Sequence, residues 1–229
     1  MKVKALIAAG GRGERIGGIL PKQFMEIKKK PVLAYTVEKF EKCELIDEII
    51  LVVPEDYMSF CSYNIVDVCD FKKVKRILSG GKERQDSVYK GLLALSRDTD
   101  IVLIHDGVRP FISTEKIGKS IEMCKKEKAV ILALTVNDTV KRVDEGYVVT
   151  TLDREKLWIA QTPQTFEYKL ILEAYKKAIE GSFIGTDDSS LVERLGFKVR
   201  VLEGESQNIK ITTQEDLVLA EKIIESYNI

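Results

Sequence analysis

Six short apolar runs, rich in β-branched residues, recur along this 229-residue chain at residues 3–8, 49–53, 74–78, 101–104, 130–134 and 199–202. Runs of that length without polar alternation suit strands buried on both faces. Stretches with helical period separate most of them, at 32–40, 87–95 and 117–124, and three more helices are expected over 167–179, 188–195 and 214–226. This alternation predicts an α/β fold: a mostly parallel, Rossmann-like sheet with helices on both faces and right-handed crossovers. Pro31 suits a first helical turn, while Asp86-Ser87 and Ser113-Thr114-Glu115 offer capping side chains. The length fits a single domain over residues 1–229. Only the stretch 137–161 breaks the rhythm. There, 139–143 and 147–151 flank Asp144-Glu145-Gly146, a hairpin signal, and Trp158, the sole tryptophan, follows. Such a β-arm reads as a lid or a subunit contact, against the simpler possibility of a hairpin lying on its own domain.

Charge narrows the partners. Lys plus Arg and Asp plus Glu each number 36, so net charge is zero and no general attraction to nucleic acid is expected. Any anion recognition must be local. No apolar run approaches the ~20 residues that cross a bilayer, and Met1-Lys2-Val3-Lys4 does not open a signal peptide, so a cytoplasmic protein with no membrane partner is expected. Cys43, Cys61, Cys69 and Cys124 are scattered without a Cys-x-x-Cys pair, which favours reduced, buried thiols. His105 is the only histidine, which excludes a two-histidine metal site and reads as strand-end packing.

The first apolar run opens directly into Ala8-Ala9-Gly10-Gly11-Arg12-Gly13-Glu14-Arg15, with Pro21-Lys22-Gln23 beyond. A buried strand ending in glycines lets backbone N–H groups converge on phosphate oxygens, and Arg15 and Lys22 bring full charges to the same place. The spacing matches neither the P-loop nor the Gly-x-Gly-x-x-Gly pattern. In an open α/β sheet, ligands bind beyond the carboxyl ends of the strands, and further candidates fall there. After residues 74–78 come Ser79-Gly80-Gly81-Lys82-Glu83-Arg84 and then Ser87, which could meet a base edge or cap a helix. After 101–104 comes His105-Asp106-Gly107-Val108-Arg109-Pro110. Asp106 there suits a Mg²⁺ bound mainly by phosphate oxygens and water, with a salt bridge to Arg109 as the rival role. Thr162-Pro163-Gln164, Gly185-Thr186-Asp187-Asp188 and Asn208-Ile209-Lys210-Ile211-Thr212 add polar clusters. Lys210 stands alone on one face of the strand-like Ile209-Lys210-Ile211.

Taken in order across nearly the whole chain, these motifs, with Asp138-Thr139-Val140-Lys141, Leu157-Trp158 and Gln161, resemble the 2-C-methyl-D-erythritol 4-phosphate cytidylyltransferases. The opening loop is shared by many nucleotidyltransferases; the later motifs together are far more specific. The resemblance implies transfer of a cytidylyl group from CTP to methylerythritol phosphate, with release of pyrophosphate, in the non-mevalonate route to isoprenoids. It implies catalytic roles for Arg15 and Lys22, and Mg²⁺ or another divalent cation on Asp106. The implied nucleotide set is Ala9, Gly10, Gly11, Arg12, Gly13, Gly81, Arg84, Ser87, Asp106, Gly107 and Lys210. The implied polyol-phosphate set is Asp106, Arg109, Thr139, Arg154, Thr162, Thr186 and Lys210, with Arg154 crossing into the neighbouring site of a homodimer. Gly107 stands where the family usually has Ala, which should loosen the local backbone, and Lys82 where an acidic residue is common. Rival readings are a cytidylyltransferase for another polyol phosphate, such as ribitol 5-phosphate, and a non-catalytic nucleotide-binding module.

Overall fold

A computed structural model describes residues 1–11 and 20–227. In chain order its elements are β1 (Val3–Ala8), β2 (Glu26–Ile27), β3 (Lys30–Pro31), α1 (Val32–Glu41), β4 (Glu48–Val53), α2 (Met58–Cys61), β5 (Val74–Ser79), α3 (Arg84–Ala94), β6 (Ile101–Asp106), α4 (Thr114–Glu127), β7 (Ala129–Thr135), β8 (Lys141–Asp144), β9 (Tyr147–Thr151), β10 (Trp158–Glu167), α5 (Tyr168–Glu180), α6 (Asp188–Arg194), β11 (Arg200–Glu203) and α7 (Gln214–Tyr227). Seven strands form one sheet in the order β5-β4-β1-β6-β10-β7-β11. All its neighbours pair in parallel except β10, which runs antiparallel to both β6 and β7.

Strand alternation sorts the core into two layers. Val3, Ala5, Ile7, Ile49, Leu51, Ile101 and Leu103 face α1 and α4, while Leu6, Ile50, Val52, Val102 and Ile104 face α3, α5 and α6. Both sets are almost completely buried, which is why these strands read as unbroken apolar runs. A third cluster joins Ile27 and Tyr35 to Val108, Phe111, Ile211 and α7, tying the C-terminal helix under the loop that follows β6. Cys43, Cys61 and Cys124 are buried, Cys69 is half-buried and all four are free; burial pushes the Cys61 and Cys124 thiols up to about 12, leaving them protonated and inert at neutral pH. No helix among the described residues is long and apolar enough to cross a membrane.

Three sequence expectations need correction. Residues 158–167, read as the end of the arm and a polar cluster beyond it, form β10 in the middle of the sheet. The arm hairpin itself is β8–β9, turning at Glu145 (φ 47°) and Gly146 (φ 85°), the two positive φ values of a tight two-residue turn. Helix α3 begins three residues earlier than the caps suggested. Glu83 is its N-cap, Asp86 completes a capping box, and Ser87 caps nothing. Ile209-Lys210-Ile211 joins no strand; its Ile211 N–H donates to the Val108 carbonyl at 2.9 Å. Ser113 does cap α4, accepting from the Lys116 N–H at 3.1 Å.

Gly91 decides how closely α3 approaches the sheet. A Cβ there would lie 2.2 Å from Leu6 Cδ1, so only glycine lets this helix rest on β1 and β4. The same contact carries the first turn of α3 to the strand ends. Gly91→Val is expected to lower unfolding free energy by about 1–3 kcal/mol. In a denaturant-melt cycle with Leu6→Ala, the double variant should lose less than the sum of the two single losses. Additive losses would mean that Gly91 is not placed by Leu6.

A candidate nucleotide site at the strand carboxyl ends

The carboxyl ends of β1, β5 and β6 open on one cleft of about 230 Å³, near the low end of small-molecule sites. Ala9, Gly10, Gly11, Lys22, Gly81, Arg84, Ser87, Asp106 and Lys210 line it, with Lys82 at its edge. These residues come from five separate segments, and the backbone brings them together by continuing the sheet: Ala9 N–H donates to the Val52 carbonyl at 2.7 Å, Gly80 N–H to Val53 at 2.8 Å, and Gly107 N–H to Ala8 at 2.9 Å. Close approach then demands small residues. A Cβ on Gly10 or Gly80 would sit 3.0 Å from Ser87 Oγ. That hydroxyl accepts from the Gly81 N–H at 2.9 Å and donates to the Glu83 carbonyl at 3.1 Å, stitching the second glycine loop onto α3. The N-terminus of α3, the positive end of its dipole, thereby lies at the cleft.

Asp106 is the electrostatic centre. Its carboxylate is 6% exposed and meets three cations: Lys210 Nζ at 2.8 Å, Arg84 Nε at 3.0 Å and Arg109 Nε at 3.7 Å. Burial alone would raise its pKa, but Arg84, Lys210 and Arg109 outweigh that and hold the carboxyl well below the usual range. The aspartate thus makes the salt bridge that rivalled a metal role, and with three cations in place of one. Among the described residues no group of three or more His, Cys, Asp or Glu side chains is placed to share a metal. A single carboxylate fits a Mg²⁺ that draws its other ligands from phosphate oxygens and water.

The support behind Asp106 is as specific as its front. His105 is fully buried against Phe40, ring centroids 4.8 Å apart, and burial pushes its pKa down to about 4, so it is neutral at pH 7. Its Nε2 lies 3.0 Å from the Arg109 carbonyl, which can only accept, so Nε2 carries the proton and Nδ1 accepts from the Thr162 hydroxyl at 3.0 Å. Thr162 Oγ1 in turn accepts from the Asp106 N–H at 3.1 Å. Thr162 therefore braces the aspartate from behind. Arg109 is also largely buried, its Nη1 donating to the Asn208 carbonyl at 2.8 Å. Gly107 lies beneath the cleft, where a Cβ would come 2.7 Å from that of Ala9. Its backbone is held, not loosened: the N–H bonds Ala8, and the carbonyl accepts from Thr36 Oγ1 at 3.0 Å.

Thr186 is exposed on the loop before α6. Thr139 and Arg154 are exposed on the arm, where Arg154 Nη1 donates to the Asn137 carbonyl at 2.6 Å; neither lines the cleft. Arg12, Gly13 and Arg15 lie outside the described residues.

Sequence reasoning missed several positioning groups. Gln23, 1% exposed, donates from Nε2 to the carbonyls of Ala9 at 2.6 Å and Gly11 at 2.9 Å, tying the first glycine loop to the segment that carries Lys22. Buried Gln161 and Gln164 on β10 do the same for the C-terminal loops, reaching Glu205 and Asp187. The only trace of this in the sequence is a run of amides and hydroxyls, Gln161 to Thr165, with no turn composition around it.

Comparison with known proteins is consistent along the chain. The family model for 2-C-methyl-D-erythritol 4-phosphate cytidylyltransferase matches residues 3–226. A relative of that name from Geotalea uraniireducens (strain Rf4) is 46% identical over 230 residues, covering 100% of this chain and 99% of its own. One from Clostridioides difficile (strain 630) is 46% identical over 219 residues, covering 96% and 92%. Among solved structures, the 4-diphosphocytidyl-2C-methyl-D-erythritol synthase of Anaerococcus prevotii DSM 20548 superposes with a TM-score of 0.87 at 39% identity, covering 98% of each chain. The cytidylyltransferase of Thermus thermophilus gives 0.80 at 31% identity, covering 98% and 100%. With a glycine-lined cleft at the strand ends, a buried aspartate ringed by cations, and this likeness from end to end, the chain belongs to the 2-C-methyl-D-erythritol 4-phosphate cytidylyltransferase family.

Proposed function

We propose that the protein transfers the cytidylyl group of CTP to 2-C-methyl-D-erythritol 4-phosphate, giving 4-diphosphocytidyl-2-C-methyl-D-erythritol and pyrophosphate in the non-mevalonate isoprenoid pathway. Family membership over the full chain carries this reading, and the convergence of Lys22, Lys210 and Asp106 on one cleft is the observation that supports it chemically. A phosphate oxygen of the acceptor attacks the α-phosphorus of CTP, and the bond to the pyrophosphate oxygen breaks. No general base is required, because the phosphate monoester is largely dianionic at neutral pH. His105 agrees with that: it is buried, neutral and bonded through both nitrogens.

The difficulty is to bring two polyanions together. The glycine-loop backbone and the N-terminus of α3 receive the triphosphate. Lys22, with Arg15, steadies it and offsets the charge that builds on the α-phosphorus, and Lys210 spans the two substrates beside Asp106. Asp106 would hold a divalent cation, Mg²⁺ in this reading, which would supply charge neutralisation on the phosphates. Thr186 and Arg109 stand on the acceptor side. A homodimer completes the site, with Arg154 and Thr139 carried by the arm into the neighbouring subunit. The arm suits that role: Val143, Tyr147, Val148 and Val149 are between 50% and 80% exposed, apolar side chains on both sides of the hairpin that a lone subunit leaves in water.

Offering purified protein CTP and Mg²⁺ with either methylerythritol 4-phosphate or ribitol 5-phosphate tests the assignment. Pyrophosphate release is expected with the first, and release only with the second would overturn the substrate. Lys22→Ala is expected to lower turnover by ~10²-fold or more, the scale for removing a preorganised charge contact; turnover near that of the parent would take Lys22 out of the mechanism. Mixing Arg154→Ala with Lys22→Ala subunits should restore part of the activity through hybrid dimers. No recovery, with subunit exchange demonstrated by mass spectrometry, counts against a shared site.

A further inference from the structure

Arg84 contributes to the cleft in a lopsided way. Its two terminal nitrogens are both committed to Asp188, Nη1 to Oδ1 at 2.9 Å and Nη2 to Oδ2 at 2.8 Å, and only its Nε edge reaches Asp106, at 3.0 Å. Asp188, the first residue of α6, is completely buried, and the Tyr175 hydroxyl also donates to its Oδ1. A guanidinium prefers to meet a carboxylate through two parallel bonds. Asp106 is near enough to take that fork, yet it receives a single contact. Asp188 takes the end-on pair of terminal nitrogens, and its own orientation is set by Tyr175. Among the described residues three of the five N–H groups of Arg84 find partners, on a side chain that lines the cleft.

We propose that Asp188 is the positioning residue for Arg84, and through it for the triphosphate. It holds the guanidinium across the cleft as a fixed phosphate donor, and it keeps the end-on pair of terminal nitrogens from turning onto Asp106. The carboxylate of Asp106 then remains able to exchange its surface cations for a phosphate-bound divalent ion. Because Asp188 opens α6 directly after Thr186-Asp187, one buried ion pair joins the nucleotide cleft to the loop on the acceptor side. The proposal rests on the nucleotide reading above but assigns a residue outside the cleft lining.

Calorimetric titration of the full chain with CTP and Mg²⁺, without acceptor so that no turnover occurs, tests it. Asp188→Asn keeps the shape and removes the charge. It is expected to weaken CTP binding about tenfold or more, the scale of one charge-assisted hydrogen bond, and to raise the Mg²⁺ concentration at half-saturation. The deciding arm is a cycle with Arg84→Met. If Asp188 acts through Arg84, adding Asp188→Asn to Arg84→Met costs no further affinity and leaves the Mg²⁺ requirement where Arg84→Met put it. Tyr175→Phe should shift both readouts in the same direction by a smaller factor, and it carries the test if circular dichroism shows Asp188→Asn unfolded. Unchanged binding in the folded Asp188→Asn protein, additive losses in the double variant, or, where only it folds, unchanged binding in Tyr175→Phe overturns the proposal. Absence of CTP binding by the unsubstituted protein overturns the nucleotide reading, and this proposal with it.

Discussion

One buried carboxylate organises this molecule. Asp106 ends the central parallel strand, where burial strips most of the water from a charge, so its ionised form depends on cations brought from elsewhere in the chain. Lys210 arrives from a loop after β11, Arg84 from the first turn of α3, and Arg109 from the turn that Asp106 itself begins. Each contact draws a different segment onto the same point. The cleft is thus defined by charge balance as much as by shape. A cation or a polyanion that enters meets partners already gathered for exchange.

The antiparallel strand β10 makes this gathering rigid. Its buried polar residues point at three places: Thr162 behind Asp106, Gln161 toward Glu205 and Asn208, and Gln164 toward Asp187 and Ser189. One side of the cleft hangs from β1, β5 and β6, and the loops that carry Lys210 and Asp188 are fixed by β10. Placed between β6 and β7, the strand lets one element hold both. Buried amides and hydroxyls are costly unless paired, and here the pairing partners are the loops themselves.

Legibility in the sequence followed the same division. The strands at 49–53, 101–104 and 130–134 were readable because burial leaves an uninterrupted apolar run, and that at 3–8 with only Lys4 inside it; the edge strand at 74–78 was marked by Val74, Ile77 and Leu78 beside exposed Lys75 and Arg76. The glycine pairs and Asp106 were readable because their chemistry at a strand end has few other uses. Strand β10 was not. Gln161, Thr162, Gln164 and Thr165 give it the composition of a surface turn, and a proline sits among them, yet all four are nearly or fully buried. Nothing local announces that those groups are satisfied from across the fold. Ser87 shows the reverse error: its capping chemistry is real, but its hydroxyl is used by Gly81 and Glu83, and Glu83 caps the helix.

The sequence by itself determined the alternation of buried strands and helices, the glycine-bearing strand ends, and through its ordered motifs the family. These are properties of residue type and spacing, and each is expressed over a few consecutive positions. Only the tertiary structure decided that Asp106 is shared by three cations, that Gln23 and Thr162 act as braces, and that Asp188 governs the direction of Arg84. Those pairs are separated by as many as 104 residues, and a buried ion pair is chosen by geometry and desolvation at the point of contact, which no local pattern encodes.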